Sequence, residues 1–250
     1  MSVKLIHCSY HKCLTVYYSK IMRVLYNRIM RFSRGYQHFN SRINDFYQEF
    51  DNRRVASVNN HALDLNKIGD DFLISRFIRD PRDLVVSGYF YHKRGAEGWC
   101  NIIGPTDEDW REVNGWVPEQ MDKDHSLSTY LQSLSKEDGL IAEIDFRKNH
   151  FGSMMQWPVE DPRIKIFRYE DIVGNEQEIF ADIFSFYGMF WLERKLGLML
   201  VSKYSAKKIT RTKKHIRNPT AGQWKEHFTP KVSNYFEQRY GKILERYGYE

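Results

Sequence analysis

The sequence is short of every feature that marks a secreted, membrane-spanning or metal-binding chain. It has three cysteines, Cys8, Cys13 and Cys100. Their number is odd and no two form a C-x-x-C pair, so a disulfide framework is not expected and a reducing compartment is the default. Long apolar runs are missing as well. The most apolar stretch, residues 179–192, carries Asp182 and is too short to cross a bilayer. His7, His11 and Lys12 interrupt the first residues, so no signal peptide is expected. No carboxylate pair, Cys/His cluster, internal repeat or low-complexity segment stands out. These absences lead to the expectation of a soluble, cytoplasmic protein with no bound metal.

What is present is ordinary globular material: 250 residues, 42% hydrophobic and 28% charged. That is enough for one sizeable core, and a single domain over residues 1–250 is expected. The net charge of +6 favours an anionic ligand. Apart from the run 203–214 and neighbouring Arg217, the positive charge is spread out. That argues against a nucleic-acid tail.

The chain is organised around residues 4–30. Leu5 and Ile6 lead into a tight polar segment, Ser9 to Thr15, after which Tyr18, Met22, Leu25 and Ile29 recur at helical spacing. This reads as strand, loop and amphipathic helix. A helix N-terminus offers unpaired N–H groups and the positive end of its dipole, which suits phosphate or sulfate. Lys12 and Thr15 add a cation and a hydroxyl at the same place. The segment is not a Walker A loop, because it has no glycine and its Lys precedes the Thr by three positions.

Residues 53–59 read as a second strand, ending in Asn59-Asn60-His61, and residues 64–71 as a turn or brief helix. Phe72–Ile78 is a nearly continuous apolar run, the pattern of a strand buried on both faces. Asp80 and Pro81 then supply an N-cap and a first helical residue, so a helix should start there. Residues 93–118 are irregular and rich in Trp. Together with the segment up to residue 125 they form a candidate substrate-facing insertion. Residues 126–147 read as one helix, 163–169 as a strand, 175–187 as a helix, and 230–247 as a final helix. The fold class that follows is α/β: a central parallel sheet flanked by helices, with a P-loop-like strand–loop–helix at the N-terminus.

Four segments resemble, in order, the motifs of the cytosolic-type sulfotransferases that use 3′-phosphoadenosine 5′-phosphosulfate (PAPS). Ser9-Tyr10-His11-Lys12-Cys13-Leu14-Thr15-Val16-Tyr17 is similar to the family's 5′-phosphosulfate loop. Arg79-Asp80-Pro81-Arg82-Asp83-Leu84-Val85-Val86-Ser87-Gly88-Tyr89 resembles its 3′-phosphate motif, with the spacing from Arg79 to Ser87 kept. Phe167-Arg168-Tyr169-Glu170-Asp171 and Arg217-Asn218-Pro219-Thr220-Ala221-Gly222-Gln223-Trp224-Lys225 are similar to its third and fourth segments.

The resemblance implies transfer of a sulfuryl group from PAPS to a hydroxyl or amine of a small-molecule acceptor, leaving adenosine 3′,5′-bisphosphate (PAP), without a metal. It implies His61 as general base and Lys12 at the bridging oxygen of the leaving phosphate. Cys13, Leu14, Thr15 and Val16 would surround the 5′-phosphate, with Tyr17 near the adenine. Arg79, Ser87, Arg217 and Asn218 would lie at the 3′-phosphate and Tyr169 against the adenine. His7, His11 and His92 are competing candidates for the base.

The chain departs from the family pattern at His11, Cys13, Leu14, Val16, Asn59 and Asn218-Pro219. Residues 225–234 echo the family's dimer motif only in part, so a monomer or weak homodimer is expected, with no nucleic-acid or membrane partner. Two other readings stay open, a P-loop small-molecule kinase and a non-catalytic nucleotide-binding relative.

Overall fold

Strand β1 (Lys4–Ser9) is buried along its length and hydrogen-bonded on both edges, to β3 (Val55–Asn59) and to β4 (Phe72–Ile78). With β2 (Tyr36–His38) and β5 (Ile164–Arg168) these make a five-stranded, all-parallel sheet in the order β2-β3-β1-β4-β5. The near-continuous apolar composition of β4 is what a strand covered on both faces needs. The computed structural model describes residues 3–205 and 220–249. It divides into two compact units, Met1–Arg79 with Pro158–Pro219 and Asp80–Trp157 with Thr220–Glu250.

The sheet belongs to the first unit, with helices α1 (Thr15–Val24), α2 (Ile43–Glu49), α7 (Tyr169–Ile172), α8 (Glu176–Phe186) and α9 (Trp191–Tyr204). The second holds α3 (Pro81–Lys93), α4 (Leu127–Ser133), α5 (Lys136–Phe146), α6 (Lys148–Gln156), α10 (Trp224–His227) and α11 (Pro230–Tyr247). The expected α/β architecture with a central parallel sheet is therefore the observed one. In the first unit α1 and α8 meet the sheet through rings. His7 stacks on Tyr18 at 3.6 Å, and Phe77 and Phe180 stand edge-on to Tyr18 or to each other.

Local capping chemistry explains several boundaries. The Asp80 carboxylate accepts from the Arg82 N–H, with Pro81 next, so α3 starts where expected. Thr229 caps α11 in the same way ahead of Pro230.

Four features differ from expectation. The helix expected over 126–147 is two helices, because Leu134 is extended and the Ser135 hydroxyl caps a fresh start by accepting from the Asp138 N–H. Ile29 does not continue the buried stripe of α1. Residues Leu25–Ile29 form a π-helical turn, whose wider winding rotates Ile29 outward to 44% exposure. β2, α6 and α9 had no clear sequence signal. In the 93–125 segment, Trp110 is fully buried and Trp99 stacks on Phe146 at 5.3 Å, so these two rings serve packing.

Two histidines, His7 buried and His38 half-buried, sit in polar networks within the sheet. His7 Nδ1 is 2.8 Å from Ser75 Oγ, which is 2.7 Å from the Tyr187 hydroxyl. His38 Nδ1 is 2.8 Å from Ser57 Oγ, itself 2.6 Å from the Tyr36 hydroxyl. Burial lowers both imidazoles, His7 well below the usual value and His38 to about 4, where the Arg23 charge adds to the effect.

The loop between β1 and α1 carries backbone strain. Lys12 has a φ of 74° and Leu14, at the N-cap of α1, a φ of 58°. Leu14 thus occupies a left-handed position that glycine takes without cost.

Two predictions concern stability. Between pH 6.5 and 4 the unfolded chain protonates His38 while the folded chain does not, so stability falls as pH drops through that window. Urea unfolding at pH 7 and pH 5 should show a loss of about 2 kcal/mol from His38. A His38→Gln variant should show a shallower slope, and an identical slope would contradict the assignment. At position 14, relief of left-handed strain and the extra entropy of an unfolded glycine are both about 1 kcal/mol and opposed. Leu14→Gly should therefore unfold within a few degrees of wild type, whereas the β-branched Leu14→Ile should unfold clearly earlier. The reverse order would show that the helix entry is unstrained.

Candidate active site

The parallel register lines up four chain segments at one edge of the sheet. Ser9 pairs with Asn59 of β3 and with Phe77 of β4, and Ile78 of β4 pairs with Arg168 of β5. Residues 10–15, Asn60-His61, Arg79 and Tyr169 therefore all leave the carboxyl ends of neighbouring strands. In open α/β sheets, ligands gather at that edge, where connections diverge to the two sides. Here β1 is such a point, with β3 on one side and β4 on the other.

The first segment is built to receive an anion. α1 has no acidic residue in its first turn and no side-chain cap, so its initial N–H groups are left to a ligand or water. Thr15 Oγ1 lies 2.7 Å from Ser9 Oγ and donates to the Tyr10 carbonyl at 3.3 Å. The loop closes on itself through Cys13 N–H to the Tyr10 carbonyl, 3.0 Å. Lys12 is half-buried within it, Cys13 fully buried and Val16 73% exposed. Cys13, Leu14 and Val16 have no polar side chain to offer an oxyanion beyond a buried thiol, so their contribution to a site is through the backbone. Tyr17 is buried as well. It is a core residue whose hydroxyl donates to the Val201 carbonyl at 3.2 Å and whose ring stands edge-on to Phe180.

His61 follows β3 after one residue, Asn60, and is half-buried. Its Nε2 lies 2.8 Å from the Ser41 carbonyl oxygen. A carbonyl only accepts, so Nε2 carries the proton and the lone pair of the neutral ring is on Nδ1. Two of the competing histidines are set elsewhere. His7 is buried in the sheet, and His92 is fully buried with Nδ1 2.8 Å from Glu143. His11 is in the anion loop itself.

At the other end of the row the Arg79 guanidinium carbon stands 4.2 Å above the centre of the Tyr169 ring, both residues being buried. The ring fixes a cation at the end of β4. The next residue, Asp80, is engaged in capping α3 and in a fork with Arg82 at 2.8 Å.

In the second unit Ser87 lies two turns into α3 and is half-buried. The glycine after it is needed: a Cβ on Gly88 would lie 2.1 Å from Glu143 Oε1 and 2.2 Å from Arg147 Nη2. α3 also holds the fourth sequence segment. Asp83 accepts from the Gly222 N–H at 2.7 Å and the Trp224 N–H at 2.9 Å, and the Arg82 guanidinium stacks on Trp224 at 3.7 Å. Arg217 and Asn218 lie outside the described residues. Sequence reasoning did not single out Asp83, Asn60 or Ser41. The doubled asparagine at a strand end was the one available signal, since Asn tolerates positive φ better than most residues. Asn60 has a φ of 69°.

Among the described residues no group of three or more His, Cys, Asp or Glu side chains could hold a metal ion, and no helix is long and apolar enough to cross a membrane.

Comparison with known proteins agrees with this geometry. Three solved structures share the fold. Retinol dehydratase in complex with androsterone and the inactive cofactor PAP superposes with a TM-score of 0.53 at 16% identity, over 96% of this chain and 80% of that one. Mouse sulfotransferase SULT7A1 complexed with PAP gives 0.57 at 14% identity, over 96% and 84%. Retinol dehydratase with retinol and PAP gives 0.52 at 14% identity, over 98% and 82%. No curated protein matches the sequence significantly. The sulfotransferase domain model, however, matches residues 5–248, and the chain therefore belongs to the sulfotransferase family.

Proposed function

We propose that the protein is a PAPS-dependent sulfotransferase acting on a hydroxyl or amine of a small-molecule acceptor. The observation that carries this reading is the placement of Lys12, Thr15 and His61 at the ends of two paired strands, with Arg79 at the end of a third. The first three residues provide a cation, a hydroxyl donor and a base at one edge. The fourth supplies a second cation, two strands' width from His61, which suits a ligand with two separated anionic groups. The residues fit an adenosine 3′,5′-bisphosphate moiety, because the first turn of α1 is free of acid and Arg79 is held in place by Tyr169. The structures of retinol dehydratase and mouse sulfotransferase SULT7A1 hold PAP, which supports the same choice of nucleotide here.

The donor supplies an activated sulfuryl group. His61 takes the acceptor's proton on Nδ1 as its oxygen or nitrogen attacks, and the Nε2–H bond to Ser41 keeps that tautomer in place. Lys12 neutralises charge that builds on the departing phosphate, as fixed cations do in phosphoryl transfer. Thr15 and the N–H groups at the start of α1 hold the 5′-phosphate. Arg79 and Ser87 are assigned to the 3′-phosphate, with Arg217 and Asn218, and Tyr169 to the adenine side. Tyr17, committed to the core, is left out of the site. Residues 93–125, where Ile102 and Ile103 are exposed, are the proposed acceptor-facing segment. A cytoplasmic location accords with the sparse, unpaired cysteines, and a monomer or weak homodimer with the partial echo of the family's dimer motif in residues 225–234.

Three measurements test this reading. PAP at a hundred times its dissociation constant should raise the thermal midpoint by roughly 5–10 °C, and ADP or Mg²⁺-ATP should not. A shift with Mg²⁺-ATP alone would move the assignment to a kinase. His61→Ala should lower turnover by about a hundredfold or more while PAP affinity stays within twofold, and an active His61→Ala removes it as the base. Arg79→Ala should weaken PAP by about 10- to 100-fold but 5′-AMP, which lacks the 3′-phosphate, far less. Equal losses for both nucleotides would remove Arg79 from the 3′-phosphate.

A further inference from the structure

Asn60 sits between the anion loop and His61 with both ends of its amide engaged. Its Oδ1 accepts from the His11 backbone N–H at 2.8 Å, one residue before Lys12. Its Nδ2 donates to Ser41 Oγ at 2.9 Å, and its own N–H donates to the Ser9 carbonyl at 2.9 Å. The amide orientation is not arbitrary, because a backbone N–H can only donate and so requires the oxygen. Ser41 in turn presents its carbonyl to His61 Nε2 at 2.8 Å. Both residues are buried, Asn60 at 5% exposure and Ser41 at 7%. The left-handed backbone at Asn60, with a φ of 69°, turns the chain off β3 so that the amide faces the loop and the next residue faces Ser41.

We infer that Asn60 and Ser41 are a positioning pair that couples the anion loop to the proposed base, setting the loop's approach to His61 and the tautomer of its ring. The inference rests on the sulfotransferase reading and adds two residues to it. Neither touches a reacting atom. Their action is through the His11 N–H on one side and the His61 ring on the other. Asparagine suits the role because one planar group offers an acceptor and a donor in opposite directions, at a φ that most side chains avoid. Proton abstraction needs the base within about 3 Å of the proton's heavy atom, and misplacement by 1 Å costs about a hundredfold. A clamp of this kind therefore has a kinetic signature distinct from its contribution to folding.

The test uses Asn60→Gly, which keeps the backbone conformation and removes the amide, together with Ser41→Ala and the double variant. Asn60→Gly should lower kcat by about 10- to 100-fold and weaken PAP several-fold, since it frees both partners. Ser41→Ala keeps its carbonyl, so it should lower kcat by less and leave PAP affinity within twofold. Because both substitutions cut one chain of contacts, the double variant should be no slower than Asn60→Gly alone. Folding is checked by thermal unfolding, with assays run well below each midpoint. If folded Asn60→Gly keeps kcat and PAP affinity within twofold of wild type, or if the two kcat losses multiply, the pair is structural only and the inference falls.

A ¹⁵N–¹H spectrum of the imidazoles supplies a readout independent of turnover. His61 should be Nε2-protonated in the wild type and a tautomer mixture in Asn60→Gly, and an unchanged tautomer overturns the clamp. If the wild type shows this tautomer behaviour yet neither binds PAP nor transfers sulfate, the sulfotransferase reading fails while the coupling of Asn60 and Ser41 to the ring stands.

Discussion

The placement of β1, held on both edges by parallel partners and buried on both faces, is the constraint on which the site depends. A strand in that position has no latitude to slide. A shift of one residue would send His7 and Cys8 to opposite faces and break every pair with β3 and β4. The same pairing determines which residues emerge at the carboxyl edge and in what lateral order, so the loop of Lys12, His61 and Arg79 are spaced by strand separation. The connections need only be short. Residues 10–14 bridge β1 to α1, and the end of β3 passes into His61 through one residue.

Beneath this edge the sheet carries more polarity than a parallel core usually does. His7, Ser75 and Tyr187 form one buried network, and His38, Ser57, Tyr36 and Ser19 another. Networks of this sort add to structural uniqueness when satisfied and are costly when broken. They tie β1 to β4 and β2 to β3 side by side with the backbone ladder. The strain at Lys12 and Leu14 is thus concentrated in the loop that leaves the most firmly held strand, where surrounding structure can sustain it.

How much of this was legible depended on whether the signal was local. β1, β3, β4 and β5 announced themselves as short apolar runs, and α3 through the dipeptide Asp80-Pro81, whose capping chemistry needs no tertiary information. Lys12, Thr15, His61 and Arg79 were singled out as candidates because each lies within a short motif at a strand end. β2 was not, since its three residues, Tyr36-Gln37-His38, are polar or amphipathic and stand at the sheet's edge. The division between α4 and α5 turns on one serine competing as a cap within an otherwise periodic stretch. Ser41 was invisible for another reason: it meets His61 from twenty positions away, a contact made only by the fold. Tyr17 and Tyr18 are both buried because α1 is covered by α8 and α9 as well as by the sheet, which adjacent positions in a sequence do not reveal.

The three cysteines have a practical consequence. Cys8, Cys13 and Cys100 are all buried, and burial pushes the Cys8 and Cys100 thiols up to about 12. Thiolate is the reactive form toward alkylating and oxidising reagents, so at neutral pH Cys8 and Cys100 are almost wholly thiol, and Cys13, inside the anion loop, is shielded by complete burial. A single cysteine introduced on the surface would therefore be labelled alone, without first removing the native three. Reaction of Cys8 or Cys13, conversely, would report opening of the sheet or of the loop.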